Sequence, residues 1–318
     1  MNVIVLGTSH FTLSCAKAII DSQVRLSGLI SMPAHAVPLN SADVSGFARE
    51  QVIPYHEIED INSSASLKVL RSYAPDYIFS SWPKLLTKDV LDVPRWFVIG
   101  THPTELPFNR GRHPLHWIIV QGISETKLSF FQVDESIDTG KILLQVPVVI
   151  NRDDSIVDLI AKVNAAGYDG TQQLFRRLVE NPAYEGVEQN HGLANYWRKR
   201  TPHDVTLDFR MSSDSVVRIV RSLMPPYACA NLIFEKYVIK IRQAALPSII
   251  MSPSELERIE PGKIISTDNR RIRIKAADGI VELEYVGQLP ESLLRAKYLH
   301  PPSKYFSQWA EELSAQLI

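Results

Sequence analysis

The chain reads as an α/β protein in two parts: a Rossmann-like, mostly parallel sheet domain followed by a smaller β-rich, barrel-like domain. Three observations predict this. In the first part, short Val/Ile-rich runs alternate with segments of helical period, the pattern of a parallel sheet covered on both faces. Beyond a polar, Pro-interrupted stretch, short alternating strands follow at close spacing, as in a small antiparallel barrel or half-barrel. Finally, 318 residues, 45% of them apolar, are more than one core ordinarily takes.

The elements follow in order. "NVIVLG" (2–7) is a short buried strand. "FTLSCAKAII" has helical spacing, with Phe11, Cys15, Ala18 and Ile19 on one face. "VRLSGLIS" is a second strand, "SASLKVLRSYAPD" a helix stopped near Pro75, and "DYIFSSW" and "RWFVIG" two further strands. "HPLHWIIVQG" is a helix. "TKLSFFQVD" and "KILLQVPVVI" are strands joined by "ESIDTG", whose Asp-Thr-Gly suits a turn. A long helix then starts after a cap at Asp153 or Asp154 and closes the first domain, 1–190. Residues 191–204 read as a linker and 205–318 as the second domain. In that domain "DSVVRIVRSL" is a helix, and "NLIFEKYVIKI", "GKIIS", "RRIRIKA" and "GIVELEYV" are strands.

The bulk numbers exclude some classes. A net charge of −1 speaks against a general nucleic-acid binder. From Arg200 to Ile318 there are 16 Lys+Arg and 14 Asp+Glu, a net of +2 that is thin for docking a tRNA. The two cysteines, Cys15 and Cys229, are far apart and form no metal-type cluster, so both read as thiols in a reducing compartment. "MNVIVLG" lacks the form of a secretory signal, and no apolar run reaches the ~18 residues of a membrane span. A cytoplasmic protein is expected, with no membrane partner.

The chemistry-bearing residues crowd into "IGTHPTELPFNRGRHPLHW", at the carboxyl end of a strand, where open α/β sheets bind ligands. His102 ends that strand, and Asp138 sits in a later turn that the chain returns to the same sheet edge. An imidazole held by a carboxylate suits proton transfer near neutral pH. Taken alone, both residues also have plain readings, as a loop residue and a turn former. Arg110 and Arg112 suit phosphate oxygens, with His113 and Trp117 beside them. "GTSHF" (7–11) is too poor in glycine for a dinucleotide fingerprint; Ser9 and His10 either cap a helix or line the mouth of a pocket.

The spaced motifs "THPTELPFNRGRHPLHW" and "FFQVDESIDTGKIL" resemble the 10-formyltetrahydrofolate-dependent formyltransferase family, in particular its nucleotide-sugar N-formyltransferases, relatives of methionyl-tRNA formyltransferase. The resemblance matches His102, Arg110-Gly111 and Asp138–Gly140, and extends more weakly through "YWRKRTPHDVTLDF" into the C-terminal part. It implies transfer of a formyl group from 10-formyltetrahydrofolate to an amine, without a metal. His102 and Asp138 are then catalytic. Ser81, Trp82, Lys84, Leu85, Val133, Asp134 and Glu135 lie along the folate. Thr101, Thr104, Arg110, Arg112, His113, Trp117, Ser9 and His10 face the acceptor, expected to be a nucleotide-linked amino deoxysugar. The C-terminal domain is expected to extend the sugar site or to pair the chain as a homodimer. One position departs: the family asparagine that helps hold the formyl oxygen is Gly100 here, with Thr101, Ser81 or a protonated His102 as substitutes. That departure keeps a hydrolytic or non-catalytic relative open beside methionyl-tRNA formyltransferase.

Overall fold

The computed structural model describes residues 1–38, 41–248, 251–268 and 270–305, in two compact units. The first comprises 1–114, 124–150 and 159–198; the second comprises 115–123, 151–158 and 199 onward.

In the first unit, β1 (Asn2–Leu6), β2 (Arg25–Ser31), β3 (Tyr55–Glu57), β4 (Tyr77–Ser80) and β5 (Phe97–His102) are parallel, in the order β3-β2-β1-β4-β5. The chain runs outward from β1 on one side and resumes at β4 on the other, so the topological switch lies between β1 and β4. Beyond the two-residue β6 (Arg110–Gly111), β7 (Glu125–Gln132) pairs antiparallel with β5, and β8 (Ile142–Val149) antiparallel with β7. The mostly parallel sheet expected from the apolar runs is therefore present, with an antiparallel hairpin at one edge.

Strand alternation assigns the two faces. Ile4, Leu6, Ile30, Ile78 and Val98 form one buried cluster with Leu70 of α3 (Ser64–Ser72) and Val90 of α4 (Lys88–Leu91). On the other face Tyr77 packs edge-on against Phe175 of α6 (Ile156–Glu180). Cys15 of α1 (His10–Asp21) is fully buried, and Ser14 of the same helix donates to the Asn164 carbonyl of α6 at 2.9 Å. Both faces are covered, which is why the strands carry continuous apolar runs. A short α2 (Val44–Glu50) and β3 escaped the sequence reading, because their segments show neither period clearly. The start of α6 also differs from expectation: Ser155 accepts the Asp158 amide, whereas Asp153 is exposed and Asp154 accepts the Asn151 amide.

The second unit holds α5 (Pro114–Gln121) from Leu115 onward, together with α7 (Ser213–Arg221) and one antiparallel sheet. "NLIFEKYVIKI" is a hairpin rather than one strand: β10 (Ala230–Phe234) turns at Glu235, φ +52°, into β11 (Tyr237–Ala245). With β12 (Ile264–Thr267), β13 (Arg271–Lys275) and β14 (Ile280–Tyr285), the order is β10-β11-β14-β13-β12. Among the described residues no pairing joins β10 to β12, so the sheet is open rather than a barrel.

The expected linker is the larger correction. Residues 191–198 belong to the first unit, where β9 (Tyr196–Trp197) pairs with β6. Polar composition and absence of period hid this two-residue strand.

Candidate active site

β5 runs two residues past Gly100 and delivers His102 at its end, 5% exposed. The imidazole Nε2 lies 2.8 Å from the Asn109 carbonyl oxygen. A carbonyl only accepts, so Nε2 carries the hydrogen, and Nδ1 is the nitrogen that gains or loses a proton. Nδ1 faces Asp138 Oδ2 at 3.5 Å. The same oxygen accepts the Gly111 amide at 2.8 Å, so the carboxylate stands between the imidazole and the Arg-Gly turn.

The pair is held by strained but tolerant backbone. Asn109 (φ +60°) and Asp138 (φ +54°) are left-handed, a conformation that Asn and Asp accept better than most residues and that clusters at functional sites. At Gly111 (φ +104°) a Cβ would lie 2.5 Å from the Trp197 carbonyl, so only glycine lets β6 approach β9. The loop before it is tied to the hairpin. Thr104 donates to the Phe108 carbonyl at 2.8 Å, and Ser129 donates to the Thr104 carbonyl at 2.6 Å.

Several expected acceptor-site residues prove to be structural. Thr104 is fully buried in that brace. Arg110 does not stand free to read phosphate: it is 1% exposed, and its guanidinium donates to Gln189 Oε1 at 2.6 and 3.2 Å and to the Tyr196 hydroxyl at 2.9 Å. Arg112, one pleat further along, is exposed. His113 is half-buried with φ +55°. Thr101 alternates with Gly100 and His102, so its side chain leaves the opposite sheet face. Ser9 caps α1 through the Thr12 amide, and His10 is exposed at its start, beyond the end of β1. Trp117 lies on α5, in the second unit, edge-on to His116.

The expected folate-side residues fall in two loops. Ser81 follows β4 directly, its hydroxyl sharing a hydrogen bond with Thr12 at 2.7 Å. Trp82 is 9% exposed and packs in the core cluster, yet among the described residues its indole N–H has no acceptor. Lys84 and Leu85 are exposed, Leu85 at 65%. In the second loop Val133 donates its amide to the Val98 carbonyl at 2.8 Å, and Asp134 is occupied by the Thr139 hydroxyl at 2.6 and 2.8 Å. Glu135 is exposed.

Gly100 has a steric reason. A Cβ there would meet Val133 Cγ2 at 2.7 Å and the Phe131 ring at 3.0 Å. The loop carrying Asp138 crosses this face of β5, and the missing side chain gives it room. Sequence reasoning missed the second layer of the site, Gln189, Asn195 and Tyr196. Asn195 exchanges side-chain bonds with Asn109, donating to Oδ1 and accepting its amide, both at 2.9 Å. Among the described residues no group of three or more His, Cys, Asp or Glu is placed to hold a metal ion.

An α/β sheet that presents an imidazole–carboxylate pair beyond its strand ends has the form of a ligand-binding site. The comparisons with known proteins agree: the formyl transferase family matches residues 1–174, and its C-terminal domain family matches residues 199–292. The chain belongs to the formyl transferase family and is a formyl-transferring enzyme. Its curated relatives include the methionyl-tRNA formyltransferase of Alkaliphilus oremlandii, 24% identical over 90% of this chain and 91% of that one. Among solved structures it resembles the N-formyltransferase of Helicobacter canadensis in complex with folinic acid and dTDP-3-aminofucose, at TM-score 0.66 and 16% identity over 89% of this chain and 99% of that one. It also resembles WlaRD, a sugar 3N-formyltransferase, at TM-score 0.66 and 15% identity over 91% and 99%.

Proposed function

We propose that this enzyme moves the formyl group of 10-formyltetrahydrofolate to the amine of a nucleotide-linked amino deoxysugar. The observation that carries the proton-transfer half is the His102 Nδ1–Asp138 pair. The amine must lose a proton as it attacks the formyl carbon. With Nε2 donating to the Asn109 carbonyl, Nδ1 takes that proton, and Asp138 stabilises the imidazolium that results. A flat, hydrogen-bonding pterin fits the folate-side loops in one respect: among the described residues the buried Trp82 indole N–H has no acceptor.

The sugar-nucleotide half rests on charge. Arg112 is exposed beside the Gly111–Asp138 hydrogen bond, where a diphosphate needs a donor fork. In the second unit, Arg242 pairs with Glu284, and Arg271 and Arg273 both pair with Glu282. Arginines on that sheet are thus neutralised by their own neighbours, an unfavourable surface for tRNA phosphates. The curated matches favour methionyl-tRNA as the second reading. One assay separates the two: 10-formyltetrahydrofolate is offered with UDP-, dTDP- and GDP-linked amino sugars, and separately with charged initiator tRNA. Formylated sugar detected by mass supports the proposal. Formylated tRNA alone establishes the second reading, and formate release without any acceptor marks a hydrolase.

A further inference from the structure

Arg110 is the largest side chain buried below 2% exposure, and among the described residues no carboxylate forms an ion pair with it. Its partners are neutral: Gln189 Oε1, the Tyr196 hydroxyl, whose ring also lies 5.6 Å from the guanidinium carbon, and His191 Nδ1 at 3.2 Å. A buried charge without a counter-charge is destabilising, so such a group points to a role other than stability.

The role follows from what Gln189 does with its other end. Because guanidinium only donates, the Gln189 carbonyl oxygen must face Arg110, which turns its NH2 group the opposite way. That group donates to the Asp138 carbonyl at 2.9 Å and the Gly140 carbonyl at 2.7 Å. Both amide hydrogens are thus spent on the turn that carries the Asp138 carboxylate. From the next residue of the same β6 segment, the Gly111 amide grips that carboxylate directly. The chain around Asp138 is therefore held at three points, two through Gln189 and one beside Arg110.

We propose that Arg110 is a positioning residue for Asp138, acting through the Gln189 amide to fix the 138–140 turn against His102. This rests on the assignment of His102 and Asp138 as the proton-transfer pair. Arg110→Lys keeps the charge but loses the two-point fork. Gln189→Glu keeps an acceptor for Arg110 but loses both donors to the turn, and Gln189→Ala loses both links. In the full-length enzyme each variant should lower kcat tenfold or more, with KM for the formyl donor within twofold of wild type. The drop should vanish in an Asp138→Asn background, because the variants act through that side chain. A merely structural role would lower activity by the same factor in both backgrounds, and that result overturns the proposal. Amide hydrogen exchange supplies a readout without turnover: the Gly111 amide should exchange at least tenfold faster in Gln189→Ala and Gln189→Glu, while amides of β1 and β4 keep their rates. Unchanged Gly111 protection refutes the clamp. Should no acceptor be formylated by the wild type, the proposed function fails, and the exchange result still decides the clamp.

Discussion

Substituting asparagine at Gly100 installs the side chain that the family resemblance implies there, and the structure predicts that the change alone is harmful. Two effects oppose each other. Glycine inside a strand is about 0.5–1 kcal/mol less favourable than alanine, so any side chain at this position recovers that much. Against it stands a Cβ at 2.7 Å from Val133 Cγ2 and 3.0 Å from the Phe131 ring. Neither neighbour retreats easily, since Phe131 is buried and Val133 is tied by its amide to the Val98 carbonyl. Overpacking of this kind costs about 1–3 kcal/mol, so at mid-range the contact outweighs the backbone gain and leaves a net loss of about 1 kcal/mol. For a unit of this size that corresponds to melting about 2–4 °C lower, read by calorimetry. Val133→Ala added to Gly100→Asn removes the nearest contact and should restore most of the loss. In that double variant the carboxamide regains room beside His102. One oxyanion donor is worth on the order of 10²–10³ in rate, so kcat should then rise above that of Val133→Ala. A Gly100→Asn protein that melts at or above the wild-type temperature refutes the steric account.

The remaining expectations are shorter. His102→Ala and Asp138→Asn should each lower kcat by about 10²–10⁴ with wild-type circular dichroism; retained turnover in either removes that residue from proton transfer. Arg112→Ala should raise KM for the nucleotide sugar tenfold or more without moving the melting temperature, in contrast to the buried Arg110, and an unchanged KM rejects Arg112 as a diphosphate donor. Burial pushes the Cys15 thiol from 9.0 up to about 12, and burial also raises Cys229. The native protein should therefore react slowly with a thiol reagent at pH 8 and promptly once unfolded; fast labelling of Cys15 in the native state contradicts its burial. The folded state also keeps the Cys15 proton where the unfolded chain loses it, so this residue's contribution falls as pH rises from about 9 to 12, and Cys15→Ala should flatten that decline in denaturant titrations.

What the sequence made legible and what it hid divide along one physical line. Strands β1, β2, β4 and β5 announce themselves as short apolar runs, and helices α1, α3 and α7 through local period. His102 and Asp138 stand out through the family resemblance of the motifs that carry them, since taken alone both have plain readings. The residues that hold them do not, because their roles arise from pairings distant in sequence: Gln189 and Tyr196 meet Arg110 only after β9 has paired with β6. From the sequence, Arg110 and Arg112 are two equal cations in "RGR". In the structure they part company: Arg110 is buried and Arg112 is exposed, with Gly111 (φ +104°) between them. The same holds for Gly100, whose neighbours Phe131 and Val133 come from the adjacent strand β7 and the loop after it, about thirty residues on in the chain. The absent asparagine and the buried arginine are then linked. The loop that fills the space above Gly100 is the loop that ends in Asp138, and its far end is pinned by Gln189 beneath Arg110. Restoring the asparagine without loosening Val133 should therefore disturb the placement of Asp138 as well as the melting temperature, and kcat for Gly100→Asn alone should fall below wild type.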